Sequence, residues 1–421
     1  MKSSIPPASS AGLESSSPSS SVDGKKLAHN IWWILGAAAA LRLLIALLFL
    51  TFTIPLELGE PWYLQHGGDQ RLMFDLGQSL IHGPAIQSVV GIGQALVMAP
   101  LIALTGATDY PDIVQPLTIL NGCILGPLSV LIVGGLALIM TRQRALSAIV
   151  AFFWAFLPLL AYGAFFWHPE NTVVRSAMVP KVGWLTGLSD PPATFFLLAA
   201  VLLLARLISA DRPRFYWLLA AGMALGLAMD FRAHTAFMIA FLAGYVWWAE
   251  GGRGLLVLVG GGLLTYLPQA WYNQLAFGLP FTIGYITYGD IANFGGTFRR
   301  PWNDIISNLW FSPRNFVETI AYFIGNRAWL ALPLIIGGGL LVFTLRFIQR
   351  HYGWKTTALL VLSPLAYLLP LLATYNFRDD PIRMLMPIIP MLLIVALIGI
   401  FQIGQSLKPN RPPAGPHPAA D

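Results

Sequence analysis

Charge is scarce in this chain. Only 10% of its 421 residues are Asp, Glu, Lys or Arg, against 56% hydrophobic residues, where soluble domains carry roughly 25% charge. That deficit, with a mean hydropathy of +0.66, excludes an ordinary soluble globule. The single cysteine, Cys123, excludes an intramolecular disulfide framework; it lies in an apolar run and reads as a small packing residue. A paired zinc motif is missing as well: His168 stands beside Glu170 without a second His at ligand spacing. The net charge of +6 does not point to nucleic acid, because the basic residues are scattered at the ends of apolar runs, as membrane topology requires. Residues 1–27 are rich in Ser and Pro, cannot bury enough surface to fold, and hold no apolar stretch of the kind a signal peptide needs. They read as a disordered cytoplasmic tail, and 406–421 as a second disordered tail.

What fills the chain instead is apolar runs. A hydrocarbon core about 30 Å thick needs about 20 apolar residues per helix. Spans are expected near 30–54, 113–141, 145–167, 192–210, 215–229, 233–249, 254–272, 329–349, 356–375 and 383–404. The stretch 86–107 is ambiguous, because Gly91, Gly93, Gln94 and Pro100 make it a poor membrane helix. Lys and Arg concentrate in cytoplasmic loops. If 86–107 does not cross, the basic anchors Lys25/Lys26, Arg142/Arg144, Arg206/Arg212/Arg214, Arg346/Arg350/Lys355 and Lys408/Arg411 all fall inside. Ten crossings are therefore expected, with 86–107 juxtamembrane or re-entrant; eleven or twelve remain the alternative. The expected fold class is an all-α polytopic membrane protein, one domain over 28–405.

This topology places 55–112, 168–191, 230–233, 273–328 and 376–382 on the outer side. Asp69, Asp75, His168, Glu170, Arg175, Lys181, Asp190, Arg232, Arg299 and Arg300 lie in these segments, and Arg383 begins the last span at the same face. Arg42, mid-span, costs about 2.5–3.5 kcal/mol on insertion scales and is expected to face the bundle. Trp62, Tyr63, Trp184, Tyr285, Tyr288, Trp302 and Trp310 read as interfacial belt residues, some able to stack on sugars. The loop 273–328 is long enough to be a flap, with short helices near 302–310 and 315–325.

The stretch Gly68-Asp69-Gln70-Arg71-Leu72-Met73-Phe74-Asp75-Leu76-Gly77 directly follows the first span. On a helix, Leu72, Met73, Leu76 and Leu80 share one face, and Arg71, Asp75 and Gln78 another, which suggests an interfacial helix with its apolar side in the bilayer. Asp69 is either an N-cap or a general base. This acid, followed by an aromatic residue five positions on and by Gly77, Leu80 and Gly83, resembles the first outer loop of GT-C superfamily glycosyltransferases, such as protein O-mannosyltransferases and aminoarabinose transferases (families 39 and 83). Three further stretches are similar in order: Leu188-Ser189-Asp190 before Pro191-Pro192; Gly222 to Arg232; and Arg383-Met384-Leu385-Met386-Pro387-Ile388-Ile389-Pro390. Phe277-Gly278-Leu279-Pro280 also resembles a recurrent loop start. Many members pair two acids where this chain has Asp69-Gln70, which leaves open whether a divalent metal or another carboxylate assists.

The resemblance implies a GT-C-like bundle with Asp69 catalytic and a sugar donor linked to a polyprenyl phosphate. Arg232 and Arg383, then Arg175 and Lys181, are candidate phosphate holders, since a guanidinium fork matches phosphate oxygens. Asp190, Asp75, His168 and Glu170 are candidates for a second acid or for acceptor contacts, Arg299 and Arg300 for loop contacts, and Asp69 and Asp190 for any metal. The implied partners are membrane lipid, a lipid-linked sugar and a protein or glycan acceptor, with the active face outside a bacterial plasma membrane. A transporter or flippase, and a catalytically degenerate assembly subunit, are the competing readings.

Overall fold

A computed structural model of the chain describes residues 21–53, 69–88, 90–166, 182–208, 215–282, 313–326, 328–373 and 381–406. Every regular element among them is helical. Hydrocarbon offers no water to backbone N–H and C=O groups, so each crossing segment must satisfy its own. In chain order the helices are α1 (Ser21–Leu48), α2 (Asp69–His82), α3 (Gly93–Thr105), α4 (Pro111–Thr118), α5 (Gly126–Thr141), α6 (Arg144–Phe166) and α7 (Asp190–Ile208). They continue as α8 (Phe215–Phe231), α9 (Ala236–Phe277), α10 (Pro313–Asn326), α11 (Ala328–Thr357), α12 (Ser363–Leu372), α13 (Pro381–Leu385) and α14 (Ile389–Ser406). π-helical turns over Ile119–Leu125 and Ala358–Leu362 join α4 to α5 and α11 to α12.

Among the described residues, six helical stretches are long and apolar enough to cross a membrane. Two of them, Ala233–Phe277 and Val342–Leu372, contain sharp bends. The bends sit at Gly251 (φ 74°) and Gly353 (φ 81°), where the left-handed backbone requires glycine. Both arms of α9 line one cavity, so the chain folds back at Gly251. The described parts of the ten spans expected from sequence are largely helical, the last being broken at 386–388 between α13 and α14. The chain has the make-up of a multi-pass integral membrane protein.

The main core gathers Leu35 of α1, Val133 and Leu136 of α5, Val150 and Trp154 of α6, Leu197 and Val201 of α7, and Leu359, Ile394 and Ile398 from the C-terminal helices. Lipid is as apolar as these side chains, so association relies on close packing and on polar links between helices. The closest approach is between α8 and α9. A Cβ added at Gly222 would strike the carbonyl of Leu258, and one at Gly226 the carbonyl of Gly262. Ser147 Oγ donates to the Gly134 carbonyl at 2.7 Å, and Trp154 Nε1 to Ser129 Oγ at 2.9 Å. Arg42 does face the bundle and is buried. It donates to the carbonyls of Trp154 at 3.4 Å, Ala155 at 3.5 Å and Val182 at 3.0 Å. The Trp154 carbonyl needs such a donor because the residue four positions on is Pro158, which has no N–H.

A second cluster forms a platform at one end of the bundle, from Met73, Phe74 and Leu76 of α2, Ala95, Met98 and Ile102 of α3, Ile113 and Leu117 of α4, and Tyr272. One expectation changes here. The apolar side of α2 does not simply rest in the bilayer. Gln70, Met73, Phe74, Leu76 and Gly77 are buried, and Gly77 lets α2 seat against Ile102 and Met98. The stretch 86–107 is helical over only 13 residues, about 20 Å of rise, too short to cross. Trp184 is a correction of a different kind. It adopts a left-handed backbone (φ 61°) and is 1% exposed. It packs edge-on to Trp154 with ring centroids 6.3 Å apart, so it is a core residue and not part of an interfacial belt. Trp62, Tyr63, Tyr285, Tyr288, Trp302 and Trp310 lie outside the described residues.

Candidate active site

Four elements meet at the end of the bundle that carries the platform. Asp69 opens α2, Asp190 opens α7, Arg232 follows the last residue of α8, and Arg383 lies in α13. Their side chains close a ring of alternating charge. Arg383 Nε donates to Asp190 Oδ2 and Arg383 Nη2 to Asp69 Oδ2, both at 2.6 Å. Arg232 Nη2 donates to Asp190 Oδ2 at 2.6 Å, and Arg232 Nη1 approaches Asp69 Oδ2 at 3.5 Å. Side-chain exposure rises from 6% for Arg232 and 9% for Asp190 to 15% for Arg383 and 25% for Asp69. Each acid faces two cations and each cation two acids, so these four side chains sum to zero charge. Burying charges costs several kcal/mol per ion unless they are paired and hydrogen-bonded, and arginine suits this role because its fork reaches two acceptors at once.

Local sequence explains how each member is held. Pro191 and Pro192 fill the first turn of α7, where a missing N–H costs nothing. Asp190 therefore points its carboxylate at the arginines instead of capping its helix. Arg232 leaves the α8 spiral in an extended conformation (φ −148°, ψ 108°). Its N–H closes the last turn on Ala228 at 3.0 Å, and Thr235 Oγ1 donates to its carbonyl at 2.7 Å. The Arg383 turn is tied down from α12, where Tyr367, fully buried, donates its hydroxyl to the Met384 carbonyl at 2.9 Å. The His234 ring lies 5.8 Å from that of Tyr367, which brings the neighbourhoods of the two arginines together.

The floor of the site is a glycine-dependent contact. A Cβ at Gly91 would strike the Asp230 carbonyl, and one at Gly93 would come within 2.7 Å of the Asp230–Phe231 peptide. Gln269 Oε1 accepts from the Ile92 N–H at 2.8 Å, and Gln94 Nε2 donates to the Gly187 carbonyl at 2.8 Å. Thus 91–94 ties α8, α9 and the approach to α7 into one unit. Sequence reasoning noted Gly91, Gly93 and Gln94 only as poor membrane residues, and it did not single out Tyr367, His234 or Gln269.

One small cavity borders the ring, and a larger one lies along α8. The small one, of about 10 Å³, is lined by Trp184, Thr186, Asp190, Arg383 and Met386 among others, room for about one water. The other, about 360 Å³, is apolar and lies between α8 and the two arms of α9, with Gly222, Gly226, Met229, Gly262 and Tyr266 in its wall and Phe281 stacked on Tyr266. Met229, in its wall, lies three residues before Arg232, about one helical turn away along the chain.

The other candidates stand apart. Asp75 is half-buried on α2, six residues from Asp69 and so about 9 Å along the axis, with no bond to the ring. Arg175, Lys181, His168, Glu170, Arg299 and Arg300 lie outside the described residues. Among the described residues no group of three or more His, Cys, Asp or Glu side chains could hold a metal.

No known family model matches the sequence, and no curated protein is similar to it in sequence. Solved structures are similar in fold. One is the archaeal oligosaccharyltransferase AglB from Archaeoglobus fulgidus in complex with an inhibitory peptide and a dolichol-phosphate. Its TM-score is 0.52 at 14% identity, over 89% of this chain and 50% of that one. A second is a crystal structure of the Archaeoglobus fulgidus oligosaccharyltransferase in complex with Zn and sulfate, with the same TM-score and identity over 49% of its length. The chain thus spans about half the length of the structures it matches. The likeness is one of fold: this chain is all-helical over its described residues, with six helices long and apolar enough to cross a membrane, and superposes on part of that archaeal structure.

Proposed function

We propose that this protein is an integral membrane glycosyltransferase. It transfers a sugar from a polyprenyl-phosphate-linked donor to an acceptor hydroxyl at the outer face of the membrane, with inversion at the anomeric carbon. The observation that carries this reading is the buried ring of two carboxylates and two guanidiniums, assembled at one end of the bundle from four separate elements. α7 runs from Asp190 to the anchor Arg206, sixteen residues and about 24 Å away, which supports placing the ring on the face opposite the basic anchors.

A phosphate-linked sugar already has an activated anomeric carbon. In the displacement, the acceptor oxygen forms a bond to that carbon while the bond from carbon to phosphate oxygen breaks. The electron pair leaves on the phosphate, and the hydroxyl proton passes to Asp69. Arg232 and Arg383 stabilise the charge that develops on the phosphate, the task that preorganised cations perform best in a water-poor site. The apolar cavity below Arg232 takes the isoprenoid chain, so that the carrier enters sideways from the bilayer. The similar archaeal enzyme has been crystallised with zinc, but the residues described in this chain do not suit a divalent cation between Asp69 and Asp190. Both Oδ2 atoms already receive guanidinium donors, and a metal there would face two cations.

The test is turnover of a labelled polyprenyl-phosphate sugar by purified protein in liposomes. Asp69→Asn should lose about 10²–10⁴-fold in rate, the usual contribution of a general base. Wild-type turnover by Asp69→Asn would remove Asp69 from the mechanism. Movement of the lipid across the bilayer without any glycosidic product would favour a flippase.

A further inference from the structure

Arg383 Nη2 and Arg232 Nη1 both point at Asp69 Oδ2, so a phosphate that bridges the two arginines at this point takes the place of that carboxylate oxygen. The two acids are not equivalent in this respect. Asp190 is the more buried, and its Oδ2 takes 2.6 Å bonds from both arginines. Asp69 is the most exposed member, and it holds Arg383 at 2.6 Å but Arg232 only at 3.5 Å, at the limit of hydrogen bonding. Space beside Asp190 and Arg383 is a cavity of about 10 Å³, too small for a phosphate, and Asp69 is the member of the ring most open to solvent.

We propose that the two carboxylates have different roles. Asp190 is a positioning residue that keeps both guanidiniums aimed, and Asp69 is their exchangeable counter-ion, displaced by the phosphate of an incoming lipid phosphate. The inference rests on the function proposed above and adds an order of events to it. While Arg383 Nη2 holds Asp69 Oδ2, that oxygen is a poor base. Once a phosphate oxygen takes over Arg383 Nη2 and Arg232 Nη1, Asp69 is released beside the donor, able to accept the acceptor's proton. The donor thus arms the base.

A consequence follows that an ordinary binding residue would not show: removing the negative charge of Asp69 should strengthen lipid-phosphate binding while abolishing transfer. The measurement is a titration of the full-length protein in phosphatidylcholine nanodiscs with decaprenyl phosphate, with decaprenol as the uncharged control. Asp69→Asn is expected to bind decaprenyl phosphate at least tenfold tighter than wild type, a gain of about 1.4 kcal/mol. Asp190→Asn is expected to bind at least tenfold more weakly, with Asp190→Glu between it and wild type. Asp69→Asn binding no tighter than wild type overturns the exchange, and wild-type affinity in Asp190→Asn overturns the positioning role. If wild type prefers the phosphate to decaprenol but Asp69→Asn does not tighten it, the inference falls and the proposed function stands. If no form of the protein distinguishes the two lipids, both fall. The Asp69 arm decides the exchange even where Asp190→Asn fails to fold, because Asp69 is the least buried of the four.

Discussion

Arg383→Lys separates a forked cation from a plain positive charge. Arg383 spans two acids with different nitrogens, Nε to Asp190 and Nη2 to Asp69, each at 2.6 Å. A lysine ammonium at that position keeps the charge but is a compact point, and it cannot satisfy both oxygens in the same way. One charge-assisted hydrogen bond is therefore lost, worth about 1.5–3 kcal/mol. At about 1.4 kcal/mol per factor of ten, transfer efficiency should fall by roughly 10–150-fold. The assay is kcat/KM for a labelled polyprenyl-phosphate sugar in nanodiscs, with the unfolding midpoint in the same lipid as a control for folding. Activity within twofold of wild type in Arg383→Lys would refute the reasoning, because a fork bridging two acids would then have no part in the reaction.

Other substitutions test the frame that holds the ring. Gly226→Leu should lower the unfolding midpoint, since overpacking a tight contact costs about 1–3 kcal/mol and the added Cβ meets the Gly262 carbonyl. Gly36→Ala, with nothing within 4 Å of its Cβ, should leave it unchanged or slightly raised. Tyr367→Phe removes the hydroxyl bound to the Met384 carbonyl, and should raise the donor KM severalfold with little change in the unfolding midpoint. Arg42→Met should destabilise the bundle by stranding the Trp154 and Val182 carbonyls. Pro158→Ala, which restores an N–H to Trp154, should recover part of that loss in a double-mutant cycle.

The helices were legible because what specifies them is local. Long apolar runs, a Pro-Pro at the head of α7 and glycines at Gly251 and Gly353 each act within a few residues. Asp69, Asp190, Arg232 and Arg383 could be picked out as charges at the ends of apolar runs, in a chain with few charges. Their mutual bonding could not, because Asp69 and Arg383 are 314 residues apart and meet only through the packing of helices between them. Tyr367 escaped notice because nothing near it marks a polar contact; its partner is a backbone carbonyl in another element. Gly91 and Gly93 were visible, but their reason, the carbonyl of Asp230 pressed against them, is tertiary. Trp184 was misread because tryptophan in a loop commonly sits at the membrane interface, and its left-handed backbone leaves no trace in composition.

Charge also bears on Gln70, the buried neighbour of Asp69 on α2. The residue lies on the buried face of α2 and is 5% exposed, while two arginines already face two acids. A carboxylate at position 70, next to Asp69 in the chain, would place a further negative charge away from water. An unpaired buried carboxylate costs several kcal/mol when ionised and escapes that cost by staying protonated, which raises its pKa above the ordinary glutamate value of about 4.3. A group raised in the folded state lends its full stability below the unfolded value and loses it as pH rises. Gln70→Glu should therefore unfold close to wild type near about pH 4 and progressively earlier toward roughly pH 8, with wild type measured in parallel to remove the protein's own pH response. A Gln70→Glu protein that tracks wild type across that range would show that position 70 accepts an ionised carboxylate, and that the count of two acids to two arginines does not govern this site.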